Sequence, residues 1–215
     1  GQRMWATEHY SFFPLILIGA GVIGWQRFAK HTRVDPGAVW DVAFRSPLLW
    51  LASLGLLALG VAAYSPWPVG VGFLLALRAT INSLFTDELA RKVMPAWWFL
   101  WLAIPLPLNL DRHLILMMQL LATKLASGVL DLGGLRHAVS GVVIELPGKS
   151  YFVEEACSGV QSLFAAISVT IFYSLLGERG LLRTVLLAVI GIGWVLAANA
   201  LRIIVVTVAS SRYQI

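Results

Sequence analysis

The chain has 215 residues, of which 59% are hydrophobic and 13% charged, with a mean hydropathy of +0.80. Soluble domains carry about 25% charged residues, so a water-facing globule is excluded and most of the surface must meet lipid. The net charge of +5 does not point to nucleic acid in such a chain, because the informative quantity is which loops carry the positive residues.

The length suits one compact bundle, so residues 1–215 are expected to form a single transmembrane domain. A helix that crosses the ~30 Å hydrocarbon layer needs about 20 mostly apolar residues. The first such stretch runs from Ser11 to Ala29, and Gly19, Gly21 and Gly24 within it would allow close helix packing. A polar connector, Lys30 to Ser46, leads to a second span, Pro47 to Ser65. Pro66-Trp67-Pro68 reads as a turn into a third span, Val69 to Thr86, and Asp87 to Pro95 as a short charged loop. A fourth span starts at Ala96, with Trp97 and Trp98 as interfacial aromatics alongside Trp5 and Trp67, and breaks at Pro105 and Pro107.

Asn109 to Leu132 has an apolar face but carries Asp111, Arg112, His113, Gln119 and Lys124, and reads as an interfacial or re-entrant helix too polar for a lipid-exposed span. From Ala138 the pattern changes. Val139, Val142, Val143 and Ile144, the Pro147-Gly148 turn, and Tyr151, Phe152 and Val153 predict a small β-hairpin. A fifth span runs from Cys157 to Leu176, a tight turn from Gly177 to Gly180, and a sixth span from Leu181 to about Ser210. The expected fold is therefore all-α, a polytopic transmembrane helix bundle with a short β-hairpin before the fifth span.

Charge sets the orientation. The first connector carries Arg27, Lys30, Arg33 and Arg45; the loop after the third span carries Arg91 and Lys92; the turn after the fifth carries Arg179 and Arg183. If every span crosses once, all three lie on one side, which the positive-inside rule assigns to the cytoplasm. The hairpin and the fifth-span start then face outward, and so does the expected working surface.

Cys157 is the only cysteine, so an internal disulfide is impossible and a thiolate metal cluster implausible; no metal or cofactor is expected. It is either a small packed apolar residue or a reactive thiol. It falls at the outer start of the fifth helix, and Arg202 falls past the middle of the sixth. Counted from the tight turn, both sit ~30 Å along antiparallel helices. A helix N-terminus and a nearby cation both lower a thiol's pKa. Backbone N–H groups around Ser158 and Gly159 would bind a developing oxyanion. Arg202 is either functional, as intramembrane arginines commonly are, or snorkels to the headgroups. Glu155 either orients the site or caps the helix. Arg78, mid-span in the third helix, needs a partner such as Asp87 or backbone carbonyls.

The string Glu155-Ala156-Cys157-Ser158-Gly159, continuing Val160-Gln161-Ser162-Leu163, resembles the nucleophile motif of the exosortase/archaeosortase family. Asn199-Ala200-Leu201-Arg202-Ile203 resembles its arginine motif, Ile104-Pro105-Leu106-Pro107 its double-proline span, and Val143 to Gly148 the short β-rich stretch before its cysteine. The resemblance runs in order from about Trp97 to Ser210. It implies a membrane-embedded cysteine protease or transpeptidase, in which Cys157 is the nucleophile and Arg202 stabilises transition-state charge, supported by Glu155, Ser158, Gly159 and Asn199. The implied substrates are proteins with a C-terminal sorting signal of the PEP-CTERM type (motif, hydrophobic helix, basic tail), cleaved at the outer face of a prokaryotic inner membrane in an exopolysaccharide context. Membrane lipids are the other implied partner.

The resemblance also implies a third catalytic member, a histidine (or arginine) on a later helix. None of His9, His31, His113 or His137 matches it. The chain opens Gly1-Gln2-Arg3 and ends at Ile215 just after an apolar run, so it is expected to be a fragment missing one or more C-terminal helices. The alternative reading is a non-catalytic transporter or polysaccharide-export subunit, with intramembrane charges serving a pathway. A lipid-modifying hydrolase is a further option, disfavoured because no Ser-His-Asp or metal-ligand cluster is visible.

Overall fold

The computed structural model describes residues 13–34, 46–104, 106–107, 110–146, 149–153 and 159–213. In chain order the described elements are α1 (Phe13–Val34), α2 (Pro47–Ala62), α3 (Pro66–Leu84), α4 (Asp87–Leu100) with a 3₁₀ turn at Trp101–Ala103, α5 (Leu110–Leu132), strands β1 (Ala138–Ser140), β2 (Val143–Leu146) and β3 (Lys149–Phe152), α6 (Val160–Leu176) and α7 (Leu181–Tyr213). They fall into two compact units: Gly1–Pro107 with Ile171–Leu181, and Leu108–Thr170 with Leu182–Ile215.

Three helices are long and apolar enough to cross a membrane, Pro66–Leu84, Leu110–Leu132 and Leu181–Ala209; Pro47–Ala62 and Val160–Leu176 are shorter apolar helices. The chain is thus a multi-pass membrane protein built from helices with one small sheet. Large apolar side chains such as Leu182, Leu186, Ile190 and Trp194 along α7 are exposed, as a lipid-facing surface requires.

In the first unit, small residues let helices touch. Ser53 Oγ of α2 donates to Gly72 O of α3 at 2.9 Å, and a Cβ added at Gly72 would lie 2.9 Å from Leu57 Cγ. At Gly19 of α1 a Cβ would meet the Phe99 ring at 2.8 Å, and at Gly24 it would lie 3.7 Å from Ala96. Gly21 faces open space, so only two of the three α1 glycines serve packing.

Several sequence expectations need correction here. Pro66 and Pro68 are not a turn but the first turn of α3, where the missing proline N–H costs nothing. Asp87 to Pro95 is not a loop. It is the start of α4, where the Thr86 side chain accepts from Leu89 N and Asp87 and Glu88 occupy the first turn, a favourable arrangement at a helix N-terminus. The helix expected from Ala96 is therefore the second half of α4. Trp97 is buried, and its indole N–H donates to Leu74 O at 2.7 Å, whereas Trp98 is exposed; Trp97 is a packing residue, not an interfacial anchor. Pro105 and Trp5 lie outside the described residues.

In the second unit, α5 buries Ile115, Met118, Gln119, Ala122, Thr123, Ala126 and Leu130. That stripe at spacings of three and four residues is the signature of a helix with one covered face. Its polar residues Arg112, His113 and Lys124 lie on the other side. Contrary to the expectation of excess polarity, the length and mean hydropathy of α5 suffice for a span. The expected hairpin is β2–β3, paired from Val143↔Phe152 to Leu146↔Lys149, with Pro147-Gly148 outside the described residues. An additional strand, β1, pairs with β2 and makes a three-stranded antiparallel sheet. Ala122, Ala126 and Leu130 of α5, Ile144 and Val153 of the sheet region, and Ile203 of α7 form one buried cluster. A second cluster joins Ile115 and Met118 to Val160 and Leu163 of α6, with Ile192, Val195 and Leu196 of α7 packed against it.

Candidate active site

Cys157, Glu155 and Ser158 lie in the segment 154–158, outside the described residues; both flanks of that segment are described. Upstream, Val153 closes the sheet. Its N–H donates to Val142 O at 2.9 Å, and its carbonyl accepts from Gln119 Nε2 at 2.7 Å. Gln119 is buried, and its own carbonyl accepts from Thr123 Oγ1 at 2.7 Å. A polar side chain on the buried stripe of α5 thus fixes the chain four residues before the cysteine.

Downstream, Gly159 adopts φ +74°, a left-handed conformation that costs an ordinary L-residue roughly 1–2 kcal/mol. Its carbonyl accepts from Leu163 N at 2.9 Å and so starts α6. A Cβ at Gly159 would lie 3.1 Å from Asn199 Cγ and 3.3 Å from Asn199 Cβ. Glycine is therefore favoured twice over, by its backbone angle and by the close approach of the Asn199 side chain. Asn199 itself is buried. Farther along the same antiparallel pair, a Cβ at Gly191 would lie 3.8 Å from Thr170 Oγ1 and 4.0 Å from Ala166 Cβ, so the α6–α7 register is set at two levels.

Arg202 stands three residues past Asn199, on the exposed side of α7. Its neighbour Ile203 shares the buried cluster with Val153. The upstream flank of 154–158 thus belongs to the same core as Ile203, and the downstream flank abuts Asn199. Both lead to the single turn of α7 that bears Arg202. Gln161 and Ser162 are exposed on the first turn of α6.

The histidines differ. His137 has a side chain only 2% exposed. Its Nδ1 lies 2.9 Å from Leu135 O, and its Nε2 lies 2.7 Å from Ser127 Oγ. A carbonyl only accepts, so Nδ1 carries a proton, and both ring nitrogens are engaged in holding the α5-to-sheet connection. His113 is exposed on α5. His31 belongs to the first unit, with its Nδ1 3.0 Å from Lys92 Nζ. His9 lies outside the described residues. Among the described residues no cluster of His, Cys, Asp or Glu has the makings of a metal site.

The guanidinium of Arg78 donates to Met94 Sδ and stands 5.9 Å from the Trp97 ring centroid. A polarisable sulfur and an aromatic face thus help to accommodate the charge. The role of Gln119 was not legible from residue type. The signal that could have found it is its phase: it falls on the apolar stripe with Ile115, Met118 and Ala122, where an unpartnered amide would be costly.

The described residues form a multi-pass helical membrane protein with one small sheet. The sequence matches the transmembrane exosortase family (Exosortase_EpsH) over residues 4–215, and the chain belongs to that family. No curated protein and no solved structure matches it.

Proposed function

We propose that this chain is a cysteine transpeptidase that cleaves a C-terminal sorting signal, with Cys157 as nucleophile and Arg202 as the group that stabilises transition-state charge. One observation carries the reading: Gly159 abuts Asn199, in register with the Gly191 contact below it. The reading requires that Cys157, two residues before Gly159 in sequence, come level with Arg202, three residues past Asn199. The family membership supplies the reaction class, and the two flanks of 154–158 supply the means of holding the thiol.

In this reading the thiolate attacks the scissile carbonyl of a bound peptide. The oxyanion forms opposite the Arg202 guanidinium and the amides around Ser158 and Gly159, where preorganised donors act most strongly. Collapse breaks the C–N bond and leaves a thioester on Cys157, while the proton that the thiol gave up to water before the attack returns from water to the departing amine. Attack on the thioester by an acceptor amine or water releases the acyl group and restores the thiol. Glu155 supports the helix start, since carboxylates are favoured there. The substrate's signal is of the PEP-CTERM type, and its motif meets the thiol at the outer face of the cytoplasmic membrane. The orientation rests on the basic segments: Lys30 meets Glu178 at 2.9 Å and Lys92 meets His31 at 3.0 Å, so the C-terminal part of α1, the first turns of α4 and the α6–α7 turn share one end.

The test is co-expression with a substrate protein bearing such a signal, with processing read as a shift in mass. Wild type is expected to convert the precursor, and Cys157→Ala and Cys157→Ser to leave it intact while still reaching the membrane. Unchanged processing by both variants would overturn the reading and favour the non-catalytic transporter or export subunit.

A further inference from the structure

Within the first unit, a cavity of about 180 Å³ is lined by Arg27, Lys30, His31, Lys92 and Glu178. At ~30 Å³ per water in the liquid this is room for about six waters, or for one compact polar group. The lining holds three permanent cations and one carboxylate. Glu178 is already engaged by Lys30 at 2.9 Å and approached by Arg27 at 4.0 Å. Lys92 is held on its far side by Glu88 at 2.7 Å, and Arg27 Nη2 donates to Leu175 O at 2.9 Å.

Two donors are left over. His31 is 3% exposed. Lys92 Nζ lies 3.0 Å from its Nδ1, and an ammonium only donates, so Nδ1 accepts and the ring proton sits on Nε2. That Nε2 and Arg27 Nε are both buried and have no hydrogen-bond partner among the described residues. Two unmatched N–H donors beside an excess of positive charge ask for an oxyanion. Water would satisfy the donors and leave the charge; a tetrahedral oxyanion satisfies both.

We propose that this cavity binds a phosphate group, presented either as the headgroup of an anionic phospholipid or as free phosphate. Arg27 and His31 supply the buried donors, and Lys30 and Lys92 the charge. A membrane protein's basic end stands where headgroup phosphates are most concentrated, and neither the peptide cleavage nor Cys157 enters the argument.

The test uses the full chain in phosphatidylcholine nanodiscs doped with phosphatidic acid. Native mass spectrometry counts retained lipid, and thermal unfolding is followed with and without inorganic phosphate. The expected result is one phosphatidic acid retained in preference to phosphatidylcholine by roughly tenfold or more, the scale set by two basic side chains at a membrane surface. The double variant Arg27→Gln/Lys30→Gln is expected to lose that preference, and Lys124→Gln on α5 to keep it. Protection by inorganic phosphate that competes with lipid identifies free phosphate as a ligand; retention of lipid without such competition identifies a headgroup site. Equal retention of both lipids with no phosphate protection in the wild type, which needs no variant to fold, would overturn the proposal. So would a preference that survives the double variant.

Discussion

The basic cluster of the first unit and the α6–α7 contact of the second are built by opposite means. Around Arg27, Lys30 and Lys92 the fold uses long flexible side chains paired with Glu178 and Glu88. Around Gly159 it uses the absence of a side chain, a positive φ and a buried asparagine. Exposed ion pairs each contribute about 0–1 kcal/mol and adapt readily to substitution. A glycine favoured by both backbone and neighbour tolerates substitution less readily. The first arrangement suits holding an end of the first unit in place; the second suits holding two helices in one fixed register.

The sharpest way to break this contrast is Arg202→Gln. It is expected to lower processing by about 10²–10³-fold, the usual consequence of removing one oxyanion-stabilising donor, while detergent-solubilised protein keeps its unfolding temperature. An equal loss of fold and activity would make Arg202 a structural residue. Next comes Gly159→Val. The left-handed backbone alone costs about 1–2 kcal/mol, and the added side chain must displace Asn199, so processing is expected to fall with expression reduced; unchanged processing would mean that α6 and α7 do not meet as described. Gln119→Leu removes the donor to Val153 O and leaves a buried carbonyl unmatched, at a cost of roughly 1–3 kcal/mol. If Gln119 positions the cysteine-bearing segment, kcat should fall more than KM changes.

The smallest effect belongs to the basic cluster. The hydrogen bond from Lys30, reinforced by the charges of Arg27 and Lys30, holds the Glu178 carboxyl below the usual glutamate range. A depressed carboxylate stabilises the fold fully above its unfolded pKa of about 4.3, and that stabilisation disappears as pH falls through the lower folded value. Being exposed, the pair contributes less than about 1 kcal/mol. Unfolding temperatures of wild type and Glu178→Gln should therefore differ slightly at pH 6 and converge by pH 3; a difference that grows on acidification would reverse the assigned sign.

Much of this was legible in residue pattern. The apolar runs and the Gly177–Gly180 turn placed α6 and α7 within a few residues, because helix rise is constant and the turn is short. The β2–β3 hairpin followed from its valines and the Pro147-Gly148 pair. The errors share a cause. Asp87, Glu88, Arg91 and Lys92 look like a loop by charge, yet Thr86 followed by two acids is a helix start. In α5, Arg112, His113 and Lys124 look prohibitive by composition, yet all lie off the buried stripe. Strand β1, only Ala138–Ser140, is too short to carry a pattern of its own. The partners of Arg78 came from tertiary packing, since nothing in sequence ties it to Met94 or Trp97.

The seventh helix is 33 residues long, which corresponds to about 50 Å. Its apolar portion, Leu181–Ala209, alone measures about 43 Å against a hydrocarbon layer of ~30 Å. Tilt alone would have to reach about 45° to hide it, past the range of roughly 0–40° that membrane helices adopt. The surrounding bilayer must therefore thicken beside this helix or leave a greasy collar standing above it, which ties the protein's comfort to the acyl-chain length of its host membrane.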